Sequence, residues 1–246
     1  MLTKAQNKYI RSLTQQKFRN EYKVFIAEGE KIALEWLHAD ARIEMIIATQ
    51  EWVNEHNSAI AKHTEAGLHV VRDSDLATLS ALYTPNHVIL IIPMPEKKNI
   101  PLLKEWYLAL DEIQDPGNMG TIIRIADWFG IRHIVCSPGC VDVYNPKVVQ
   151  SAMGGHLRVS LYESELVPFL SSATLPKYAA TLDGDSIYNV KRSDCGVLII
   201  GNESRGVSDK VKLLATQNIT IPRRGGAESL NAGVSTGILC ALLLPC

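Results

Sequence analysis

Apolar runs of four to six residues alternate along this chain with stretches of helical period. In the first third, Val24–Ala27, Ile43–Ala48, Leu68–Val71 and Val88–Ile92 predict strands. Between them, residues 3–19, the stretch carrying Ile32, Trp36 and Leu37, and residues 50–66 and 74–82 predict helices. Thr3 stands where a helix cap is expected, with Tyr9, Ile10 and Leu13 on the apolar side that follows. This alternation predicts a small α/β domain over 1–95. From Pro93 to Pro101 three prolines and a charge run break the periodicity, as a linker does. Residues 103–246 form a second domain. Its predicted strands are Trp106–Leu110, His133–Cys136, Arg158–Leu161, Tyr178–Thr181, Val197–Ile200 and Ile219–Ile221, with helices over Ile122–Phe129, Pro146–Met153 and Leu230–Leu244. The order predicts a doubly wound, mostly parallel α/β sheet.

Three polar, glycine-bearing turns each follow one of these strands and precede a helix. They are Asp115-Pro116-Gly117-Asn118-Met119-Gly120, leading to Arg124; Gly201-Asn202-Glu203-Ser204-Arg205-Gly206; and Ile221-Pro222-Arg223-Arg224-Gly225-Gly226, leading to Ser229-Leu230-Asn231. Strand-to-helix turns at the carboxyl ends of such a sheet are where α/β proteins bind ligands, so three of them predict one composite site. The G-x-G-x-x-G fingerprint is missing after the first strand, which argues against a dinucleotide.

Composition narrows the picture. With 246 residues, 46% hydrophobic and 21% charged, the chain can bury a sizeable core. No apolar stretch is long enough to span a membrane, and the first residues lack a signal-peptide core, so a cytoplasmic protein is expected. The five cysteines form no CxxC pair, so neither a disulfide framework nor a metal site is expected.

The three turns together resemble the SpoU family of RNA ribose 2'-O-methyltransferases, within the SPOUT superfamily. The matching residues are Asn118, Gly120 and Arg124; Gly201, Asn202, Glu203 and Gly206; and Ile221, Pro222, Ser229, Leu230 and Asn231. More loosely, Lys17-x-Arg19 and Phe25-Ile26-Ala27-Glu28-Gly29 resemble the ribosomal-protein-like RNA-binding domain that often precedes the SpoU domain. The resemblance implies a trefoil knot, S-adenosyl-L-methionine as cofactor, an rRNA or tRNA substrate and a homodimer. It implies catalytic roles for Arg124, Asn118, Glu203, Ser229 and Asn231. Thr181, Leu182, Gly201, Asn202, Ile221 and Leu230 would contact the cofactor. Asn118 is also suited to fix its own turn through its side chain, and Glu203 to cap a helix. One of Ser229 and Asn231 is expected to cap the last helix, leaving Ser229 as the better functional candidate. Ser204, Gln150 and the Arg223-Arg224 pair depart from the family's usual pattern and bear on substrate choice.

With RNA as the implied partner, charge distribution matters more than the net charge of −1. Lys4, Lys8, Arg11, Lys17, Arg19 and Lys23 face only Glu21 in the first 23 residues, a candidate phosphate-binding stripe. Two alternatives stand beside this reading: an RNA-binding protein of this fold without turnover, against which the intact Asn118, Arg124, Glu203, Ser229 and Asn231 argue, and a base methyltransferase of the superfamily, which would need a different catalytic set.

Overall fold

The computed structural model describes residues 2–80 and 86–245. Thr3 opens the first helix as expected. Its hydroxyl accepts from the Gln6 amide at 3.2 Å, and the Gln6 side chain accepts from the Thr3 amide at 2.9 Å. The helix predicted over 3–19 is two helices, α1 (Lys4–Ser12) and α2 (Gln16–Tyr22). The break frees the Leu13 carbonyl, and Arg19 Nη1 donates to it at 2.8 Å. The chain continues through β1 (Val24–Glu28), α3 (Glu30–His38), β2 (Met45–Thr49), α4 (Gln50–Glu55), α5 (Asn57–Ile60), β3 (Gly67–Val71), α6 (Asp73–Leu79) and β4 (Val88–Pro93). The helix predicted over 50–66 is the shorter pair α4 and α5. Residues 81 and 82, the end of the stretch predicted over 74–82, lie outside the described residues, as does Cys246.

These strands form one sheet in the order β1-β4-β2-β3, with only β2 and β3 parallel. Both faces are covered. Phe25, Ala27, Leu90 and Ile92 point into one core, and Val24, Ile26, Ile89 and Ile91 into the other. That double burial is why these strands read as continuous apolar runs.

The chain divides into two compact units, Met1–Glu96 with Asp142–Leu157, and Lys97–Val141 with Arg158–Cys246. The stretch expected to be one domain, 103–246, thus gives residues 142–157 to the first unit. Within that unit the helix Pro146–Ala152 lies against β1, Val149 joins the Phe25 core, and the Tyr144 ring lies 4.9 Å from that of Phe25. Asp142 completes the attachment. Arg19 Nε donates to Asp142 Oδ2 at 3.0 Å, and Nη2 donates to the same oxygen. Arg19 is 1% exposed. It therefore does not belong to a phosphate-binding stripe: its guanidinium is committed inside the unit. Lys4, Lys8, Arg11, Lys17 and Lys23 remain exposed.

The second unit begins with β5 (Trp106–Asp111), α7 (Pro116–Trp128) and β6 (His133–Cys136). After α8 (Pro146–Ala152), already placed in the first unit, come β7 (Ser160–Glu163), α9 (Leu166–Ser172), β8 (Lys177–Ser186), β9 (Gly196–Gly201), α10 (Asp209–Lys212), β10 (Gln217–Thr220) and α11 (Ala232–Leu243). The six strands are all parallel, in the order β10-β8-β9-β5-β6-β7. The chain leaves β5 toward β6 and β7, then returns on the other side through β8, β9 and β10. The direction reverses between β5 and β9, which marks the crevice where such sheets hold ligands.

Candidate active site

The first glycine-bearing segment is helix, not a turn before one. Asp115 caps α7, its Oδ1 accepting from the Asn118 amide at 2.7 Å, and Pro116 fills the first helical position. The sequence signal for this was Asp-Pro itself; the two glycines obscured it. The helix start carries Asn118 inward, to 9% exposure.

Asn118 does not bond its own backbone through its side chain. Its Nδ2 donates to Glu203 Oε1 at 2.8 Å, and its Oδ1 accepts from Asn231 Nδ2 at 2.6 Å. One amide thus ties the segment after β5 to the loop after β9 and to the start of α11. Glu203 is a partner in this chain of bonds rather than a helix cap. Asn231 also caps α11, its Oδ1 accepting from Gly233 N at 2.9 Å and Val234 N at 3.2 Å. The expected choice between capping and site duty was false, because an amide has an acceptor for one task and a donor for the other. Ser229 is exposed and makes no hydrogen bond among the described residues.

The second loop holds itself. Asn202 Oδ1 accepts from Ser204 N at 2.9 Å and Arg205 N at 3.1 Å, while its Nδ2 donates to the Glu112 carbonyl at 2.8 Å. Arg205 forms an ion pair with the Glu112 carboxylate. A Cβ on Gly201 would sit 2.1 Å from the backbone of Gly206 and Val207. The close approach that demands this glycine is to its own loop. Asn202 likewise has its side chain engaged within the protein.

Arg124 lies on α7, exposed and without a hydrogen-bond or ion-pair partner among the described residues. α7 packs on α11, where a Cβ on Gly233 would lie 2.8 Å from Thr121 Cγ2. Gly233 therefore lets the two helices meet close to the Asn118–Asn231 bond.

Of the cofactor candidates, Thr181 and Leu182 lie in β8, Ile221 follows β10 and Leu230 precedes α11. Thr181 Oγ1 is buried and has no hydrogen-bond partner among the described residues. Leu182 is 78% exposed and Leu230 49%, and Ile221 is half-buried. Thr220 Oγ1 donates to the Leu182 carbonyl at 3.4 Å, which joins the end of β10 to the middle of β8, a strand that runs on to Ser186 and so past the Thr181 expected to end it. Apolar side chains left in solvent beside an unmet hydroxyl suit a flat apolar ligand with polar edges. Two cavities of about 170 and 300 Å³ flank Asp111 and Glu112 instead. Their walls carry Glu165, Lys210, Arg205 and Asp209 and include neither Asn118 nor Arg124 nor Leu230, so their chemistry does not match. Residues 222–230, with Arg223 and Arg224, are exposed throughout. Among the described residues, no group of three His, Cys, Asp or Glu side chains could hold a metal ion, and no helix is long and apolar enough to cross a membrane.

Residues 105–241 match the SpoU rRNA methylase family. The chain belongs to that family. Residues 4–90 match the MRM3-like substrate binding domain. A relative of this SpoU chain is the 23S rRNA (guanosine(2553)-2'-O)-methyltransferase RlmP of Bacillus subtilis, 29% identical over 235 residues, 93% of this chain and 92% of that one. Among solved structures, a TrmH-family protein from Porphyromonas gingivalis is similar at a TM-score of 0.89 and 35% identity, covering 99% of this chain and 98% of that one. The AdoMet-bound rRNA methyltransferase from Sinorhizobium meliloti follows at 0.86 and 28%, covering 98% and 95%.

Proposed function

We propose that this SpoU protein transfers a methyl group from S-adenosyl-L-methionine to a ribose 2'-hydroxyl of ribosomal RNA. The observation that carries the reading is the bond sequence Asn231–Asn118–Glu203, which joins all three motifs at the β5/β9 crevice. Ile221, Leu182 and Leu230 would wall the adenine, and Thr181 Oγ1 would find its missing partner on a polar edge. S-adenosyl-L-methionine supplies an electrophilic methyl on a sulfonium.

The protein's residues do the rest. A guanidinium offers only donors and no acceptor, so Arg124 is not the group that takes the hydroxyl's proton. It holds the phosphate beside the target ribose and stabilises negative charge on the 2'-oxygen as the proton passes to solvent water, which reaches the exposed Arg124. Asn118 fixes the carboxylate of Glu203, which offsets the sulfonium's positive charge. Asn231 holds Asn118 in that orientation, and the exposed Ser229, two residues before Asn231, would act on the reacting hydroxyl. Arg223 and Arg224 offer cations for flanking phosphates. The relative's rRNA substrate supports ribosomal over transfer RNA. The protein works in the cytoplasm as a homodimer. Trp128 on α7 and Val234 on α11, 84% and 51% exposed, are the apolar surface that supports pairing of two copies. The knot belongs to this reading as well.

The test is transfer of labelled methyl to rRNA from a strain lacking the gene, followed by digestion to nucleosides. Label is expected on 2'-O-methylnucleosides. Label on a base, or none, overturns the reading. Arg124→Ala should lower turnover by roughly 10²–10³-fold, the loss seen when one transition-state donor is removed, with cofactor affinity unchanged. A single-copy mass in sedimentation would remove the dimer from the reading.

A further inference from the structure

The first unit presents an aromatic side chain, Tyr22, outside its cores. Tyr22 ends α2 and is 44% exposed. Its ring meets Tyr9 edge-on with centroids 5.0 Å apart, and lies nearly parallel to Phe18 at 6.3 Å and 13°. Tyr9 is anchored in turn, its hydroxyl donating to Glu44 Oε1 at 3.0 Å. The Tyr22 ring is therefore held by two aromatic neighbours while nearly half its surface faces solvent.

Cations surround this ring. Lys23 follows it directly, and Lys17 Nζ lies 5.7 Å from the Phe18 ring centre. Lys4, Lys8 and Arg11, spaced four and three residues apart, share one exposed face of α1. Arg19, which the sequence places among them, is buried and paired. Glu21 is the sole acid from Thr3 to Lys23.

We propose that Tyr22 is a stacking platform for an unpaired base of the RNA substrate, with Lys17, Lys23 and the Lys4–Lys8–Arg11 face holding the phosphates on either side. This deepens the function above and rests on RNA being the substrate. Every base offers a π face, but a duplex hides those faces, so an aromatic platform selects loops and bulges from the folded RNA. A ring already held by Phe18 and Tyr9 loses little freedom on binding. Cations without a platform would hold a duplex equally well, and this arrangement would not.

The test uses full-length protein and a hairpin RNA with 2-aminopurine in its loop, beside the fully paired duplex of the same stem. Wild type and Tyr22→Phe should quench the loop fluorophore. Tyr22→Leu, which keeps an apolar side chain against Phe18, should lose the quench and bind the hairpin roughly 5- to 150-fold more weakly, the range for losing one stacked base. The salt dependence should stay unchanged in Tyr22→Leu, whereas Lys17→Gln and Lys23→Gln should each lower its slope by about 0.7. Duplex affinity should not respond to Tyr22→Leu. Full quenching by Tyr22→Leu, or an equal loss on hairpin and duplex, overturns the platform while leaving methyl transfer intact. Absence of RNA binding by wild type overturns both readings.

Discussion

Arg19 and Asn118 are both polar side chains with little exposed surface, 1% and 9%, one in each unit. Arg19 is enclosed: Asp142 and the Leu13 carbonyl take its guanidinium, and no member of the group is exposed. Asn118 is also filled at both ends of its amide, but its partners lead outward. Glu203 is half-buried, Asn231 is exposed, and Arg124, six residues along the helix, stands in solvent without a partner among the described residues. A closed set of partners marks a group that holds the fold. A set whose outer members reach solvent marks a place where a ligand can complete the bonding. The formal charge of a residue does not separate the two cases, and its partners do.

The sharpest way to break the comparison is to open the closed set. Arg19→Ala leaves Asp142 without its cation, and removing one partner of a buried pair costs about 3–5 kcal/mol. The loss should appear in the first unit, whose buried Trp36 and Trp52 report its unfolding in urea. Replacing both partners, Arg19→Met with Asp142→Leu, should recover most of it, because a well-packed apolar pair can match a buried ion pair. RNA affinity measured below the unfolding transition should not change. A drop in affinity without a drop in stability would return Arg19 to the phosphate-binding surface.

The open set can be divided by one substitution. Asn231→Ala removes both the α11 cap and the donor to Asn118, for a combined loss of about 1–3 kcal/mol. Asn231→Asp keeps an acceptor for the Gly233 and Val234 amides but sets a second acceptor against Asn118 Oδ1. It should therefore be the more stable variant of the two and equally poor at methyl transfer. Wild-type turnover in Asn231→Asp would make Asn231 a cap only, and the second unit's cluster would then be as structural as the first unit's.

Much of the architecture was legible in the sequence, for identifiable reasons. Val197–Ile200 and Val88–Ile92 are apolar at every position because both faces of their strands are covered. The three motifs were visible because glycine and asparagine at strand ends have few other uses. What was hidden depended on distant partners. Nothing local to residues 142–157 says that Val149 packs against Phe25, or that Asp142 waits for Arg19. The stripe from Lys4 to Lys23 looked uniform because charge is local and burial is not. Gly201 was recognised as a cofactor contact, and the fold adds a reason that no local pattern shows: a Cβ there would meet the backbone of Gly206 and Val207. A cut at the linker also does not separate two folding units, since the chain crosses between them again at 141–142 and 157–158.

The smallest effect sharpens the contrast from inside the closed set. His156 lies in the same returning segment as Asp142, its ring 6.1 Å from Phe25 and 5.8 Å from Tyr144. Nε2 donates to the Val143 carbonyl at 2.8 Å, while Nδ1 is buried without a partner among the described residues, although the residue keeps some surface. Burial pushes its pKa below the ordinary histidine value, and the Val143 carbonyl and Asp142 oppose the shift only in part. A depressed histidine pKa means that the unfolded chain binds the proton more readily. Stability from His156 is therefore fully present above the unfolded value of about 6.5 and declines as pH falls below it, by at most about 1.4 kcal/mol per pH unit. His156→Phe should flatten the fall in urea midpoint of the first unit between pH 7.5 and 5, at the expense of some stability at pH 7.5 through the lost bond to Val143. His69, also lowered by burial, leaves a residual slope in both proteins. An unchanged slope in His156→Phe would show that the ring already finds a partner for its second proton, and that this part of the first unit is open to solvent in the way the second unit's cluster is.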